Sequence, residues 1–214
     1  MSGGATRSAE SETERARRIY DRNANHYDRQ IGFFERILFG GGREWVCSRA
    51  HGDTLEIAFG TARNLPHYPG DVRLTGVELS PEMAAIAEDR LAEAGRPADL
   101  RVGDAQALDF PDASFDTVVS TLTLCTIPDP ALAVGEAFRV LRPGGRFVAL
   151  EHVRSPSRAV RAGQRLLNPL AVRFEADHLL REPLEYLTHA GFEIETLERA
   201  KLGIVERVAA RKPQ

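Results

Sequence analysis

Residues 54–62 read Thr-Leu-Glu-Ile-Ala-Phe-Gly-Thr-Ala, a short apolar run that leads into a turn with glycine. The run at 54–58 predicts a buried β-strand, and Gly60 lets the main chain of the turn approach a ligand closely. Ligands of open parallel sheets bind at the carboxyl ends of the strands. The turn alone is weak evidence for a nucleotide site, because Ala58 and Ala62 stand where a dinucleotide-binding turn has glycine.

The rest of the chain alternates strand-like runs with helical segments. Ser80, as an N-cap, and Pro81 predict the start of a helix that ends at Gly95. A second helix is predicted to begin at Pro130 and to stop at Pro143, which two glycines follow. Further strands are predicted at 72–77, 98–102, 115–121 and 146–150. The alternation predicts the α/β class, with a parallel sheet covered on both faces. A helix at 182–189 and strands at 192–197 and 204–210 predict a closing hairpin, which adds one antiparallel strand.

The two ends of the chain look like additions to this core. Helical spacing at 9–29, broken near 23–25, and at 33–50, interrupted at 40–42, predicts an N-terminal helical cap. Small polar residues at 1–14 predict a frayed tail. We therefore expect a single domain over 1–214. Its parts are the cap at 1–50, a cofactor-binding core at 51–152, a lid-like insert at 153–181, and a C-terminal helix and hairpin at 182–214.

Composition excludes several classes of protein. The chain is 43% hydrophobic and 28% charged with a net charge of −3, which argues against disorder and against a chain-wide nucleic-acid binder. Cys47 and Cys125 cannot build a disulfide framework or a four-thiolate zinc site, and the six histidines are scattered, so no metal site is expected. No run approaches the roughly 18 apolar residues of a membrane span, and no signal-like segment opens the chain. These features predict a cytoplasmic protein.

Two carboxylates follow successive predicted strands. Glu78 ends the second strand, 18 positions after Gly60 (78 − 60), and Asp104 follows the third. The first can accept hydrogen bonds from both hydroxyls of a ribose, and the second can accept from the exocyclic amine of adenine. Either acid alone has a simpler explanation, as a helix-start acid or a turn former. The two together favour an adenosine site.

Five segments in fixed order resemble the class I S-adenosylmethionine-dependent methyltransferases. They are LEIAFGTARNL, TGVELSPEM, GDAQAL, FDTVVSTLTLCTIPD and LRPGGRFVALEHV, spread over about 54–152. The nearest branch is the small-molecule methyltransferases, including enzymes that resemble thiol S-methyltransferases and bacterial phosphatidylethanolamine N-methyltransferases. The resemblance implies a Rossmann-like fold with a seven-stranded, mostly parallel sheet, an antiparallel C-terminal strand and a helical N-terminal cap. It also implies S-adenosyl-L-methionine as cofactor and S-adenosyl-L-homocysteine as product.

The resemblance assigns residues to parts of the cofactor. It places Glu56, Ala58 and Gly60 at the amino-acid part, Glu78 at the ribose, Leu79 beside the adenine, Asp104 and Ala105 at the adenine edge, and Thr121 and Leu122 at the methionine portion. Tyr20 and Tyr27 match a helix that closes over the cofactor in similar enzymes. The departures at Ala58 and Ala62 predict a modest loss of affinity rather than a different cofactor.

His152 is the candidate general base. It follows a strand that ends at the ligand-binding edge, and its reference pKa of about 6.5 suits proton transfer. Methyl transfer from a sulfonium depends mainly on alignment, and a base helps only when the acceptor must lose a proton. The alternative is a structural histidine that orients the adjoining loop. Glu151 is expected either to orient that loop or to meet a substrate amine.

The insert contains a basic amphipathic segment at 155–177. Arg158, Arg161 and Arg165 fall at helical spacing, with Leu167 and Leu170 on another side. Such a helix can pack on the sheet, act as a substrate lid or contact a membrane surface. All three readings are open at this stage.

The expected function is methyl transfer to a small, partly apolar acceptor, with no nucleic-acid partner. The resemblance favours S-methylation of a thiol. N-methylation of a lipid amine and O-methylation of a metabolite are the alternatives within the family. An NAD-dependent oxidoreductase would explain Gly60 and Glu78 but not Asp104. A cofactor-binding protein without catalysis is the remaining alternative.

Overall fold

The computed structural model describes the backbone of residues 3–214 and the side chains of residues 12–214. Residues 1 and 2 of the predicted tail lie outside the described residues. The helices are α1 (Gly3–Leu38), α2 (Gly42–Cys47), α3 (Pro81–Ala94), α4 (Pro130–Val140), α5 (Arg158–Glu175) and α6 (Pro183–Ala190). The strands are β1 (Asp53–Ile57), β2 (Arg73–Glu78), β3 (Asp99–Val102), β4 (Phe115–Thr121), β5 (Leu141–His152), β6 (Glu193–Ala200) and β7 (Val205–Arg211).

The described strands form one seven-stranded sheet in the order β3-β2-β1-β4-β5-β7-β6. Neighbours from β3 to β5 pair in parallel, whereas β7 runs antiparallel to β5 and β6. The mostly parallel sheet with an antiparallel C-terminal strand is thereby confirmed. Strand order changes direction at β1 and β4, so their carboxyl ends border the crevice where ligands bind in such sheets.

Side chains that alternate along the strands build a core on both faces of the sheet. Val118 and Phe147 belong to the cluster that includes α4 and α6. Val119 and Val148, the next residues on the same strands, belong to the cluster that includes α2 and α3. Because side chains on a strand point to opposite faces in turn, this split confirms a sheet covered on both sides.

The helix starts follow the capping residues in the sequence. The Ser80 side chain accepts a hydrogen bond from the Met83 amide, Pro81 is the first residue of α3, and Gly95 ends it in a left-handed conformation. At α4 the Asp129 carboxylate accepts from the amides of Ala131 and Leu132. These caps satisfy amides that have no partner inside the helix.

The break expected near 23–25 is wrong, since α1 runs unbroken from Gly3 to Leu38 and includes part of the predicted tail. Ala24 is buried there, and acidic side chains seven residues apart attach the helix to the body. Asp21 accepts from Ser80, Asp28 pairs with Arg90, and Glu35 pairs with Arg63. Tertiary contacts therefore outweigh the weak helix propensity of asparagine.

Two further boundaries differ from expectation. β5 begins at Leu141 rather than near 146, and α4 ends at Val140 rather than at Pro143. Leu141 already pairs with Phe115, and the register shifts before Arg146 pairs with Thr117. The proline and glycines between them form an irregular stretch of strand instead of a stop. The helix expected at 33–50 is also divided, into the end of α1 and the separate α2.

No helix in residues 3–214 combines the length and the apolar character needed to cross a bilayer. The one-domain organisation and its four parts stay a prediction.

Candidate active site

A cavity lies at the carboxyl ends of β1, β2 and β4, and α1 closes one side of it. Most of the residues assigned to the cofactor line it: Tyr20, Tyr27, Ala58, Gly60, Glu78, Leu79, Asp104, Ala105, Thr121 and Leu122. Glu56, Glu151 and His152 are not among the lining residues. Residues missed in the sequence also line it: Ala16, Val77, Met83, Gly103, Thr123, Thr126, Ile127 and Pro128. The lining is therefore largely apolar, with two carboxylates.

The Glu78 carboxylate is fixed by main-chain amides. Gly60 N donates to Glu78 Oε2 at 2.8 Å, and Ser80 N donates to Oε1 at 2.9 Å. Burial raises the pKa of Glu78 above its ordinary value, and the amide hydrogen bonds oppose that rise. Because an ionised carboxylate has about four acceptor positions, these amides leave acceptor capacity for a ribose hydroxyl.

The turn that follows β1 adopts a left-handed backbone at alternate positions. The φ angles are 51° at Ala58, 61° at Gly60 and 61° at Ala62. A Cβ on Gly60 would touch nothing closer than Met83 Cε at 3.8 Å, so the backbone angle rather than space favours glycine there. The two alanines adopt the same region at a cost of about 1–2 kcal/mol each. This explains physically why glycine suits both positions.

Asp104 is held by Gln106, which the sequence did not single out. Gln106 Nε2 lies 2.9 and 3.0 Å from the two Asp104 oxygens, and the Gln106 amide donates to Oδ1 at 2.9 Å. The same side chain donates to Thr13 Oγ1 in α1 and accepts from the Asp129 amide. Gln106 therefore connects the tip of β3 to α1 and to the start of α4.

Glu56 lies beneath the cavity wall instead of in it. Its carboxylate accepts from Asn64 Nδ2 and from the Tyr68 hydroxyl, each at 2.7 Å. Asn64 Nδ2 also reaches Thr121 Oγ1 at 2.9 Å. Burial raises the pKa of Glu56 to about 7. The group links the tips of β1 and β4 from behind the surface that a ligand would touch.

Helix α1 brings two tyrosines to the cavity. The rings of Tyr20 and Tyr27 are 6.3 Å apart in an edge-to-face arrangement, and both line the cavity with Ala16. Ala16 and Tyr20 are four residues apart, so they share a face of the helix. Desolvation raises the pKa of Tyr27 to about 12, which keeps its hydroxyl protonated and able to donate.

Glu151 organises the loop that follows β4. Its buried carboxylate accepts from Ser120 Oγ at 2.8 Å, from the Thr123 amide at 3.1 Å and from the Leu124 amide at 3.2 Å. Burial raises the pKa of Glu151, and these hydrogen bonds oppose the rise. Every one of these donors comes from the chain itself, so the geometry favours loop orientation over contact with a substrate amine.

His152 is paired with an acid that the sequence did not point to. Its Nε2 lies 2.7 Å from Asp177 Oδ1. The sulfur of Cys125 is close to both, since a ring nitrogen of His152, a carboxylate oxygen of Asp177 and this sulfur all lie within 4.8 Å of one another. These three side chains come together only in the fold. The three residues are 27 and 25 positions apart (152 − 125 and 177 − 152), so spacing alone could not reveal them.

Comparisons with known proteins decide the family. The model of a methyltransferase domain matches residues 55–149. The human thiol S-methyltransferase TMT1A is 31% identical over 173 residues, covering 78% of this chain and 70% of that protein. The chain belongs to the class I S-adenosylmethionine-dependent methyltransferases.

Other relatives of this methyltransferase act on different acceptors by name. The phosphatidylethanolamine N-methyltransferase of Cereibacter sphaeroides is 43% identical over 103 residues, 47% of this chain and 51% of that protein. A demethylmenaquinone methyltransferase of Thermus thermophilus is 36% identical over 152 residues, 66% of this chain and 67% of that protein. The chain thus spans about half the length of the Cereibacter sphaeroides protein. A Thermotoga maritima structure described as a SAM-dependent methyltransferase, possible histamine N-methyltransferase, is 25% identical with a TM-score of 0.71, covering 91% of this chain and 99% of that one.

The residues that line the cavity fit the family's cofactor, S-adenosylmethionine. Glu78 keeps free acceptor positions at the strand tip where a ribose would lie, and Asp104 stands at the next tip. Leu79 and Met83 offer apolar surface against which an adenine ring could lie. A Cβ added to Gly103, which also lines the cavity, would lie 3.4 Å from Val77 Cγ1. The donors and acceptors therefore match a nucleoside, and the left-handed turn at Gly60 gives close access to the main chain.

Arg181 is a further residue of this methyltransferase that the sequence did not reveal. Its guanidinium donates to the carbonyl oxygens of Leu124 and Ile127, each at 2.5 Å, and to that of Pro128 at 3.1 Å. Two side chains thus hold the loop after β4: Glu151 binds amides of the loop, and Arg181 binds carbonyl oxygens of the loop. No local signal marks Arg181, because its partners lie more than fifty residues earlier.

Proposed function

We propose that this methyltransferase transfers the methyl group of S-adenosylmethionine to a small, partly apolar acceptor. The supporting observation is the pair Glu78 and Asp104 at adjacent strand tips of one largely apolar cavity. The cofactor supplies an electrophilic methyl group on a sulfonium. The chain's own residues bind it, align the acceptor and exclude water, and alignment of this kind contributes on the order of 7–11 kcal/mol.

The acceptor we favour is a thiol. The match to the thiol S-methyltransferase extends over 78% of this chain, against 66% for the demethylmenaquinone methyltransferase and 47% for the phosphatidylethanolamine N-methyltransferase. A thiol with a pKa near 8.5 needs little help to ionise, whereas a phenol or an ammonium needs more. N-methylation of a lipid amine, O-methylation of a metabolite and C-methylation of a quinone are the alternatives within the family.

His152 is proposed as the group that takes the acceptor's proton. It stands at the end of β5, and its neighbour in space, Cys125, directly precedes the cavity-lining Thr126. Tyr20, which lines the cavity, donates to the carbonyl oxygen of Glu175 at 3.5 Å, two residues before Asp177. The His152 group therefore adjoins the cavity wall without forming part of it.

We also propose that the outer face of α5 contacts a membrane surface. Leu166, Leu167, Leu170 and Phe174 are all exposed, and within the described chain none of the residues of α5 is buried. This helix carries four arginines and one acid, so it is locally basic in a chain of net charge −3. Exposed apolar side chains beside arginines fit an anionic lipid surface. The C-terminal end of α5 packs on α1 through Arg15, close to the cavity.

One assay decides the reaction. Purified protein is given S-adenosylmethionine with a labelled methyl group and a panel of alkyl thiols, amines and phenols. We expect labelled thioethers to form fastest. Thermal stabilisation by NAD but not by S-adenosylhomocysteine would support an oxidoreductase instead. Binding of S-adenosylhomocysteine with no transfer to any acceptor would support a protein that holds the cofactor without catalysis.

Vesicle sedimentation tests the membrane contact. We expect wild-type protein to sediment with anionic vesicles at low salt, and Leu166→Glu combined with Phe174→Glu to abolish it. Leu132→Glu, at an exposed leucine of α4, is the matched control and should change nothing. Equal sedimentation of the double variant and wild type would contradict the proposed face. A cytoplasmic location stays a prediction.

A further inference from the structure

Asp177 and His152 form a shielded pair beside the cavity. Their side chains are 19% and 16% exposed, and His152 Nε2 lies 2.7 Å from Asp177 Oδ1. Among the described residues this is the sole hydrogen bond that the His152 ring makes. A carboxylate accepts but cannot donate, so in the neutral ring the Nε2 nitrogen carries the proton and Nδ1 carries the lone pair.

The local fold holds Asp177 in this place from both sides. Helix α5 is capped at its C-terminus by Ala176, which is buried and left-handed with φ of 55°. The amide of His178 donates to the Cys125 carbonyl at 2.9 Å. The amide of Leu179 donates to Asn168 Oδ1 at 2.8 Å. A strained buried cap and two hydrogen bonds thus fix the segment that carries the acid.

We propose that Asp177 is the positioning residue for His152, accepting its Nε2 proton and so leaving Nδ1 as the nitrogen that takes the acceptor's proton. The inference rests on the proposed role of His152 in methyl transfer. His152 Nδ1 accepts the proton of the thiol or other acceptor while the acceptor atom bonds to the methyl carbon. The bond between that carbon and the sulfonium sulfur of the cofactor breaks, and its electron pair stays on that sulfur. The proton on Nδ1 later passes to water. Asp177 stabilises the imidazolium in between.

The charges around His152 agree with this role. Burial lowers the pKa of His152, but the hydrogen bond with Asp177 and the charges of Asp177 and Glu151 outweigh it, so the net pKa is raised. Arg181 acts in the opposite direction. The Cys125 thiol stays neutral, because burial raises its pKa well above the ordinary value. The pKa of Tyr20 is likewise raised by burial, so it adds no charge.

The variant Asp177→Asn tests the inference with and without turnover. Nitrogen NMR of the His152 ring, in protein without acceptor, should show the Nε2–H form in wild type and a mixture of forms in the variant. The titration midpoint of His152 should fall, because the variant removes the charge of Asp177 that helps to raise the pKa of His152. In the methyl-transfer assay kcat should fall about 10–100-fold, with the acid limb of the kcat profile moved to lower pH. KM and the Kd of S-adenosylhomocysteine should stay within about twofold, since Asp177 does not line the cavity.

Controls separate positioning from a general loss of structure. Asp177→Glu should recover part of kcat and of the Nε2–H signal, and Asp109→Asn, at an exposed acid, should match wild type. An unchanged His152 titration in Asp177→Asn would overturn the inference even if wild-type turnover supports the proposed function. Because the NMR measurement needs no acceptor, a chain without methyl transfer leaves that test of the pair intact. A metal ion bound stoichiometrically by Cys125, His152 and Asp177, found by elemental analysis, would also overturn it.

Discussion

The two halves of the cavity edge are built differently. On the side of β2 and β3, the two cavity acids each accept from an amide two positions later, Glu78 from Ser80 and Asp104 from Gln106, and Glu78 also accepts from the Gly60 amide. On the side of β4 and β5, the contacts join segments far apart, as in the pair of His152 with Asp177 and the contact of Arg181 with Leu124. The residues proposed to bind the cofactor are therefore marked by local sequence motifs. The residues proposed to act on the acceptor are held by contacts between distant segments of the chain.

The largest expected effect that separates the two sides is the loss of kcat in His152→Ala. We expect kcat to fall about 10²–10⁴-fold, the contribution of a positioned acid–base group. The Kd of S-adenosylhomocysteine should stay unchanged, because His152 lies outside the cavity lining. His189→Ala, at an exposed histidine of α6, is the matched control. Equal turnover of His152→Ala and wild type at neutral pH would remove His152 from the mechanism.

Glu78→Ala should do the reverse. It removes the acceptor for a ribose and the anchor of the Gly60 and Ser80 amides, so affinity for S-adenosylhomocysteine should fall about 10²–10³-fold, from lost hydrogen bonds to a charged group worth about 1.5–3 kcal/mol each. Titration calorimetry measures the change. Asp104→Asn, which keeps one acceptor oxygen, should lose about tenfold or less. If Glu78→Ala bound with wild-type affinity, the cofactor side would not be built as described.

The pH dependence of folding examines the layer behind the cofactor side. The pKa of Glu56 is about 7 in the folded chain and near 4.5 when unfolded, so its contribution is complete below pH 4.5 and is lost as the pH rises through 7. The loss is about 3 kcal/mol. Urea unfolding should show Glu56→Gln gaining on wild type by about that amount between pH 4.5 and 8. Glu88→Gln, at an exposed position, is the control. A constant difference in the free energy of unfolding between Glu56→Gln and wild type across this pH range would contradict the expectation.

The smallest effect is expected at the turn itself. Ala58→Gly relieves a left-handed alanine but adds freedom to the unfolded chain, so the net gain in the free energy of unfolding should be about 0.5–1 kcal/mol. Ala84→Gly, inside α3, should instead lose about 1 kcal/mol. Chemical denaturation compares the two variants. Destabilisation of both by the same amount would mean that the backbone angle at Ala58 costs nothing.

What the sequence predicted divides along the same line. The strands, the capped start of α3 at Ser80 and the tip residues Glu78 and Asp104 can be predicted, because residue types within a few positions mark each of them. Asp177 and Arg181 were not, since their partners are 25 to 57 positions away. Glu56 carries a family assignment, yet its side chain is on the far side of the wall, a direction that spacing does not reveal. The length of α1 was misjudged because Asp28 and Glu35 stabilise it through distant arginines.

Those paired acids on α1 bear on how fast the spent nucleoside departs. Asp28 meets Arg90 at 2.5 Å and Glu35 meets Arg63 at 2.6 Å, and the helix carrying them also brings both tyrosines to the cavity. Lifting that helix requires these ionic contacts to separate, together with the apolar contacts that Ala16 and Ile19 make with Ala176 and Leu79. Dissolved salt weakens partly exposed ion pairs and leaves apolar packing intact. Raised ionic strength is therefore expected to weaken the ionic part of the attachment of α1 and to speed any product release that requires this helix to lift.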